Sequence, residues 1–138
     1  APSIKQVKTS ESEDIQKIAK EIVQYDEDYH LANKSDDIKE LYEQYRDSII
    51  SLAPDLEVHS KKMYIALRKG KRNYVYMNIS TKQIRIWLNM PFEKLDDPKK
   101  LARDVTNVGH WGNGDCEVIV ADTENLEYIL SLVKQVLK

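Results

Sequence analysis

Apolar residues recur at two different spacings along this chain, and the change of spacing predicts helices first and strands afterwards. In residues 13–25 and 36–52 they recur every three or four positions, which is typical of amphipathic helices. Ser35 is a candidate N-cap for the second helix, and Pro54 ends it. The first helix, within residues 13–30, is expected at the periphery of the domain.

From residue 62 onward apolar residues alternate with polar ones, which predicts strands. Three segments joined by short turns, 62–69, 72–79 and 83–90, indicate an antiparallel meander. The side chains expected to face the core are Met63, Ile65, Leu67, Val75, Met77, Ile79, Ile84, Ile86 and Leu88. After the meander we predict a short helix that begins at Pro98, a fourth strand at 116–121 and a last helix at 123–137.

These elements predict an α+β fold. A four-stranded, mainly antiparallel sheet, made of the meander and the later strand, is expected to pack with N-terminal and C-terminal helices. The 138 residues are the length of one domain, which we assign to residues 13–138. Residues 1–12 are polar and lack periodicity, which is typical of a linker or a domain boundary.

Charge is segregated along the chain. The net charge is −2, but residues 58–92 contain eight Lys or Arg and no Asp or Glu, so the remainder carries −10. On the predicted strands, basic and aromatic residues share the parity opposite to the core: Lys62, Tyr64, Arg68, Arg72, Tyr74, Tyr76, Arg85 and Trp87. Such a surface can neutralise phosphates and stack bases, so we predict that it binds DNA or RNA. The alternative is a protein-interaction or dimerisation interface on the same face.

A glycine-rich segment at residues 109–115 is a third candidate site, for a small ligand or an enzymatic reaction. Its candidate residues, with a neighbouring acid, are Asp104, His110, Trp111, Asn113 and Asp115. The glycine spacing matches neither a dinucleotide fingerprint nor a phosphate loop, and an ordered structural loop is the simpler interpretation. No paired His or Cys spacing indicates a metal site, and we assign no catalytic residue and no cofactor.

The expected compartment is the cytoplasm, because a single cysteine, Cys116, cannot form a disulfide within the chain. The longest uninterrupted apolar run, Met63 to Leu67, is five residues. A membrane helix needs about 20, so no membrane-spanning segment is predicted.

Several segments together resemble a known domain. They are Lys62 to Ala66, Asp96 to Pro98, Leu101 to Val105 and Gly109 to Asp115. From Leu31 to its end the chain resembles a domain of unknown function at the C-terminus of bacterial and archaeal proteins described as predicted transport proteins. In many of them it follows a restriction-endonuclease-like domain. The resemblance therefore implies an accessory module with an N-terminal nuclease-like partner, and a DNA-positioning role for the basic sheet.

Overall fold

The computed structural model describes residues 25–107 and 115–138. Within these ranges it has three α-helices and one short 3₁₀ helix. They are α1 (Glu27–Leu31), α2 (Asp36–Leu52), α3 (Leu126–Val136) and the 3₁₀ helix Phe92–Lys94. The helix predicted at 13–25 lies outside the described residues, apart from Tyr25. None of the described helices has the length and apolar character needed to cross a bilayer.

One antiparallel sheet forms the centre of the fold. Its strands are β1 (Glu57–Ser60), β2 (Ile65–Lys69), β3 (Arg72–Ile79), β4 (Ile84–Leu88), β5 (Arg103–Asp104) and β6 (Cys116–Val120). The spatial order is β1-β2-β3-β4-β6-β5, and every neighbouring pair is antiparallel. The α+β class is thus confirmed, while the predicted count of four strands is corrected to six. β1 and β5 are too short to show an alternating pattern.

Helix α2 forms where the sequence places it. Ser35 Oγ accepts a hydrogen bond from the Ile38 N–H at 3.2 Å, and acidic residues occupy the first turn, where they interact favourably with the helix dipole. Tyr42 and Tyr45 on its apolar stripe are fully buried. The Tyr45 hydroxyl donates to the Asp122 carbonyl at 3.0 Å, which ties α2 to the end of β6.

The main core lies between one face of the sheet and helices α2 and α3. All the strand residues predicted to face it are buried there, except Met63: Ile65, Leu67, Val75, Met77, Ile79, Ile84, Ile86 and Leu88. The prediction for Met63 is wrong, because β2 begins only at Ile65 and the Met63 side chain is 42% exposed. The helices contribute a second set of buried residues, among them Leu41, Ile49, Ile129 and Leu132.

The short helix predicted at Pro98 is absent: residues 98–107 contain no helix. The carboxylate of Asp97 does accept backbone N–H groups, from Leu101 at 3.2 Å and from Ala102 at 2.8 Å, as a helix cap would. However, Lys100 adopts a left-handed backbone conformation with φ of 54°, which a right-handed helix does not allow. The chain therefore turns once and continues into β5.

Candidate functional site

The face of the sheet that points away from α2 and α3, here called the outer face, carries most of the side chains predicted to bind nucleic acid. At its centre Ala66, Tyr76 and Trp87 lie side by side on β2, β3 and β4. With Val105 they form a buried group, the outer cluster, and each member is no more than 2% exposed. Base stacking on Tyr76 or Trp87 would therefore require the outer cluster to open.

Tyr64 lies at the rim of the outer cluster. Its ring meets that of Tyr76 edge to face, with 5.2 Å between the ring centres. The side chain is half-buried, and burial raises the pKa of its hydroxyl. Tyr64 is thus the one predicted stacking residue that borders the outer cluster and keeps part of its ring exposed.

Tyr74 packs against the main core rather than the outer cluster. A bulge in the β2–β3 pairing explains the change. Leu67 pairs with Val75, but the next residue of β2 pairs with Asn73, so Tyr74 is skipped. The guanidinium of Arg72 stands 4.9 Å from the centre of the Tyr74 ring. The four predicted rings therefore do not share one surface, because the bulge interrupts the simple alternation.

A buried carboxylate completes the central row of the outer face. Glu117 on β6 is 7% exposed and lies next to Trp87 in the sheet. The Trp87 indole N–H donates to Glu117 Oε2 at 3.0 Å, and the Arg103 guanidinium lies 3.3 Å from Oε1. Sequence reasoning missed this arrangement. The only sign of it in the sequence is a glutamate among the apolar residues of the fourth predicted strand, 116–121.

The basic residues of the acid-free segment gather at the two ends of the meander, because successive antiparallel turns lie at opposite ends. One group, here called the cationic end, consists of Lys61, Lys62, Lys82 and Arg85. The other group is Arg68, Lys69, Lys71 and Arg72. Lys69 pairs with Asp55 at 2.8 Å. The other seven have no acidic partner among the described residues.

Arg85 is the member of the cationic end that the sheet holds most firmly. It is half-buried on β4, with Asn78 of β3 on one side and Ile119 of β6 on the other. The Asn78 amide is already engaged, since its Nδ2 donates to the Met63 carbonyl at 2.9 Å. The Arg85 guanidinium makes no hydrogen bond or ion pair within residues 25–107 and 115–138, so its donors are available to a ligand.

Comparison with known proteins places this fold in a family. The domain of unknown function DUF5655 matches residues 27–135. The chain belongs to this family. An uncharacterized protein from Haemophilus influenzae is 49% identical over 138 residues, which is all of this chain and 45% of that protein. The chain thus spans less than half of the relative's length. No solved structure matches.

The DUF5655 match includes all six strands and most of α3, and therefore both faces of the sheet. It also includes the glycine-rich segment. His110, Trp111 and Asn113 lie outside the described residues, whereas Asp104 and Asp115 lie inside them. Asp104 accepts hydrogen bonds from the hydroxyl and the N–H of Thr106, and these lower the pKa of its carboxyl. Both hydrogen bonds lie within the turn that follows β5.

The single cysteine, Cys116, lies buried at the start of β6. Burial and nearby carboxylates, among them Asp115 and Asp104, raise the pKa of the Cys116 thiol to about 12. The thiol donates to the Met90 carbonyl at 3.4 Å. A thiol with so high a pKa stays protonated and is a poor nucleophile. Within the described part of the DUF5655 domain, no group of three or more His, Cys, Asp or Glu is placed to hold a metal ion.

Proposed function

We propose that this domain is an accessory module that binds the phosphate backbone of nucleic acid through its cationic end. The observation that carries the proposal is that all four basic side chains of the cationic end lack an acidic partner among the described residues. Unpaired cations on one part of an otherwise acidic protein attract a polyanion and repel other acidic surfaces.

Arg85 is the expected centre of the contact. A guanidinium offers five N–H donors in a rigid fork, which suits the oxygens of a phosphate. The sheet limits its motion, so less side-chain entropy is lost on binding than for a free surface lysine. Lys62 and Lys82, both exposed and near the same end of the meander, would extend the contact along the backbone. Tyr64 at the rim offers one ring against a sugar or an unpaired base.

Burial of Tyr76 and Trp87 changes the expected mode of binding. Without a stacking platform, affinity would come mainly from counterion release and would fall steeply with salt. Sequence discrimination would be weak, because phosphate contacts position a protein without reading bases. Such properties suit a module that holds DNA or RNA for another domain.

We also infer the setting in which this binding would act. The resemblance to domains that follow a restriction-endonuclease-like domain, together with the greater length of the Haemophilus relative, supports a role beside a catalytic partner in the cytoplasm. In that setting the module would position nucleic acid and the neighbouring domain would perform the chemistry.

The test is fluorescence anisotropy of a labelled duplex and a labelled single strand, titrated with the 138-residue chain at two salt concentrations. A Lys62→Ala, Lys82→Ala, Arg85→Ala variant should lose most of the affinity. Loss of three phosphate contacts should also make the slope of log K against log salt shallower, by roughly 2.7 for the duplex and roughly 2.1 for the single strand. The matched control removes three charges carried by helices instead: Lys39→Ala, Lys94→Ala and Lys134→Ala.

The control should bind nearly as well as the parent chain. Equal losses in the two triple variants would mean that net charge, rather than the cationic end, controls the affinity. If neither duplex nor single strand binds at low salt, the proposed function is wrong.

A further inference from the structure

One edge of the sheet is only partly covered. β5 is two residues long and pairs with Glu117 and Cys116 alone. The N–H of Val105 donates to the Asp115 carbonyl at 2.9 Å, so odd-numbered residues of β6 direct their backbone groups toward the β5 side. By this alternation, the N–H and C=O of Ile119 point to the same edge, beyond the last β5 contact. They have no partner in the described parts of the chain.

The side chains at this edge are also typical of a surface that contacts a further strand. Ile119 is 50% exposed, although β6 lies between β4 and β5 in the sheet. Residues 118–121, Val-Ile-Val-Ala, carry no charge. A cavity of about 230 Å³ lies beside them, with Tyr45, Leu101 and Ile129 in its lining. The segment before β5 thus diverges from β6 instead of extending the ladder.

The opposite edge of the sheet is different. β1 carries Glu57 and His59, whose side chains lie 3.1 Å apart at the surface. Charged side chains on a short edge strand discourage pairing with another chain. The partly covered edge, here called the β6 edge, has no charged side chain at residues 118–121, so the two edges of this sheet differ in their capacity to accept a strand.

We propose that the β6 edge pairs with the β6 edge of a second copy of this chain, in an antiparallel arrangement around a twofold axis near Val120. Such an axis would place Ile119 opposite Ala121 of the second copy. Ala121 directly follows β6, so this pairing extends the strand by one residue. Both residues are odd-numbered and would then form hydrogen-bonded pairs, about four backbone bonds in all. The two exposed Ile119 side chains would be covered on the same face of a continuous sheet.

The charges at the two ends of the β6 edge favour a second copy of this chain as its partner. Arg103, whose side chain is 65% exposed, lies beside Glu117 at the β5 end of the edge. Asp122 and Glu124 are exposed at the other end. An antiparallel twofold arrangement brings the basic end of one copy against the acidic end of the other. A parallel arrangement would bring like charges together.

The mass of the 138-residue chain should therefore rise with concentration in sedimentation equilibrium, toward that of a dimer. An Ile119→Lys variant should raise the dissociation constant by at least about tenfold, because it places charge in the middle of the pairing. Met63→Lys is the matched control, since Met63 is similarly exposed but lies far from β6 in the sheet. It should dimerise as the parent chain does.

Amide hydrogen exchange of the unmodified chain tests the same point without a variant. The Ile119 and Ala121 amides should exchange more slowly as concentration rises. A mass that stays monomeric at high concentration overturns the proposal. So does a dimer in which these two amides keep their exchange rates, or one that Ile119→Lys leaves intact while remaining folded. The proposal does not depend on nucleic-acid binding, which the anisotropy titration measures separately.

Discussion

Replacing Trp87 with Phe would keep an aromatic ring in the outer cluster but remove the indole N–H that donates to Glu117. A buried hydrogen bond to a charged group contributes about 1.5–3 kcal/mol, and the smaller ring buries less apolar area, about 1 kcal/mol. The expected loss of unfolding free energy is therefore about 3 kcal/mol, equivalent to roughly 10 °C in Tm.

A double-mutant cycle separates the two contributions. Glu117→Met removes the acceptor and keeps a side chain of similar length, so Trp87→Phe in that background should cost only about 1 kcal/mol. The coupling between the two positions should be about 1.5–3 kcal/mol. Urea unfolding followed by far-ultraviolet circular dichroism measures all four proteins. A coupling below about 0.5 kcal/mol would refute the claim that this hydrogen bond stabilises the outer face.

Three further predictions concern turns, pH and thiol reactivity. Gly70→Ala should cost about 1 kcal/mol in urea unfolding, because Gly70 has φ of 63° with open space around it, so only backbone strain is added. Although burial opposes it, hydrogen bonds from Tyr128 and from backbone N–H groups hold the pKa of Asp97 below its ordinary 3.8. The contribution of the Asp97 carboxylate to stability should thus be present above pH 4 and be lost as pH drops below that value. Asp97→Asn should therefore make Tm depend less on pH below pH 4. Cys116, with a pKa near 12, should react with a thiol reagent at neutral pH only after unfolding, so rapid labelling of the folded chain would contradict its burial.

Periodicity predicted the elements whose pattern is long and regular. β3 was predicted with its observed limits, Arg72 to Ile79, and α2 likewise from Asp36 to Leu52. β1 and β5 could not be found this way, because four and two residues carry too little alternation to separate a strand from a loop. The false helix at Pro98 arose because an Asp-Pro pair caps isolated turns as well as helices.

The candidate site was harder to predict. Alternation along a strand predicts which face of the sheet a side chain lies on, but not how deeply it is buried. Tyr76 and Trp87 lie on the expected outer face, yet both are buried, in a cluster that includes Val105 from a distant segment. Tyr74 packs against the main core because of a bulge in the β2–β3 pairing, and no local sequence pattern predicts that bulge. The distribution of basic residues along the chain is visible in the sequence, whereas the lack of an acidic partner for Arg85 among the described residues depends on tertiary structure.

The strand order also has a consequence for how the chain assembles. β1 to β4 follow one another through short connections, and each pairs with the preceding strand, so little loop entropy is lost when they form. β6 joins β4 only across the long segment between Leu88 and Cys116. Trp87 and Glu117, 30 positions apart, meet at that step. With Trp111 replaced by Phe, the fluorescence of Trp87 would therefore follow the docking of β6 onto a preformed meander, as a late kinetic phase distinct from the first collapse.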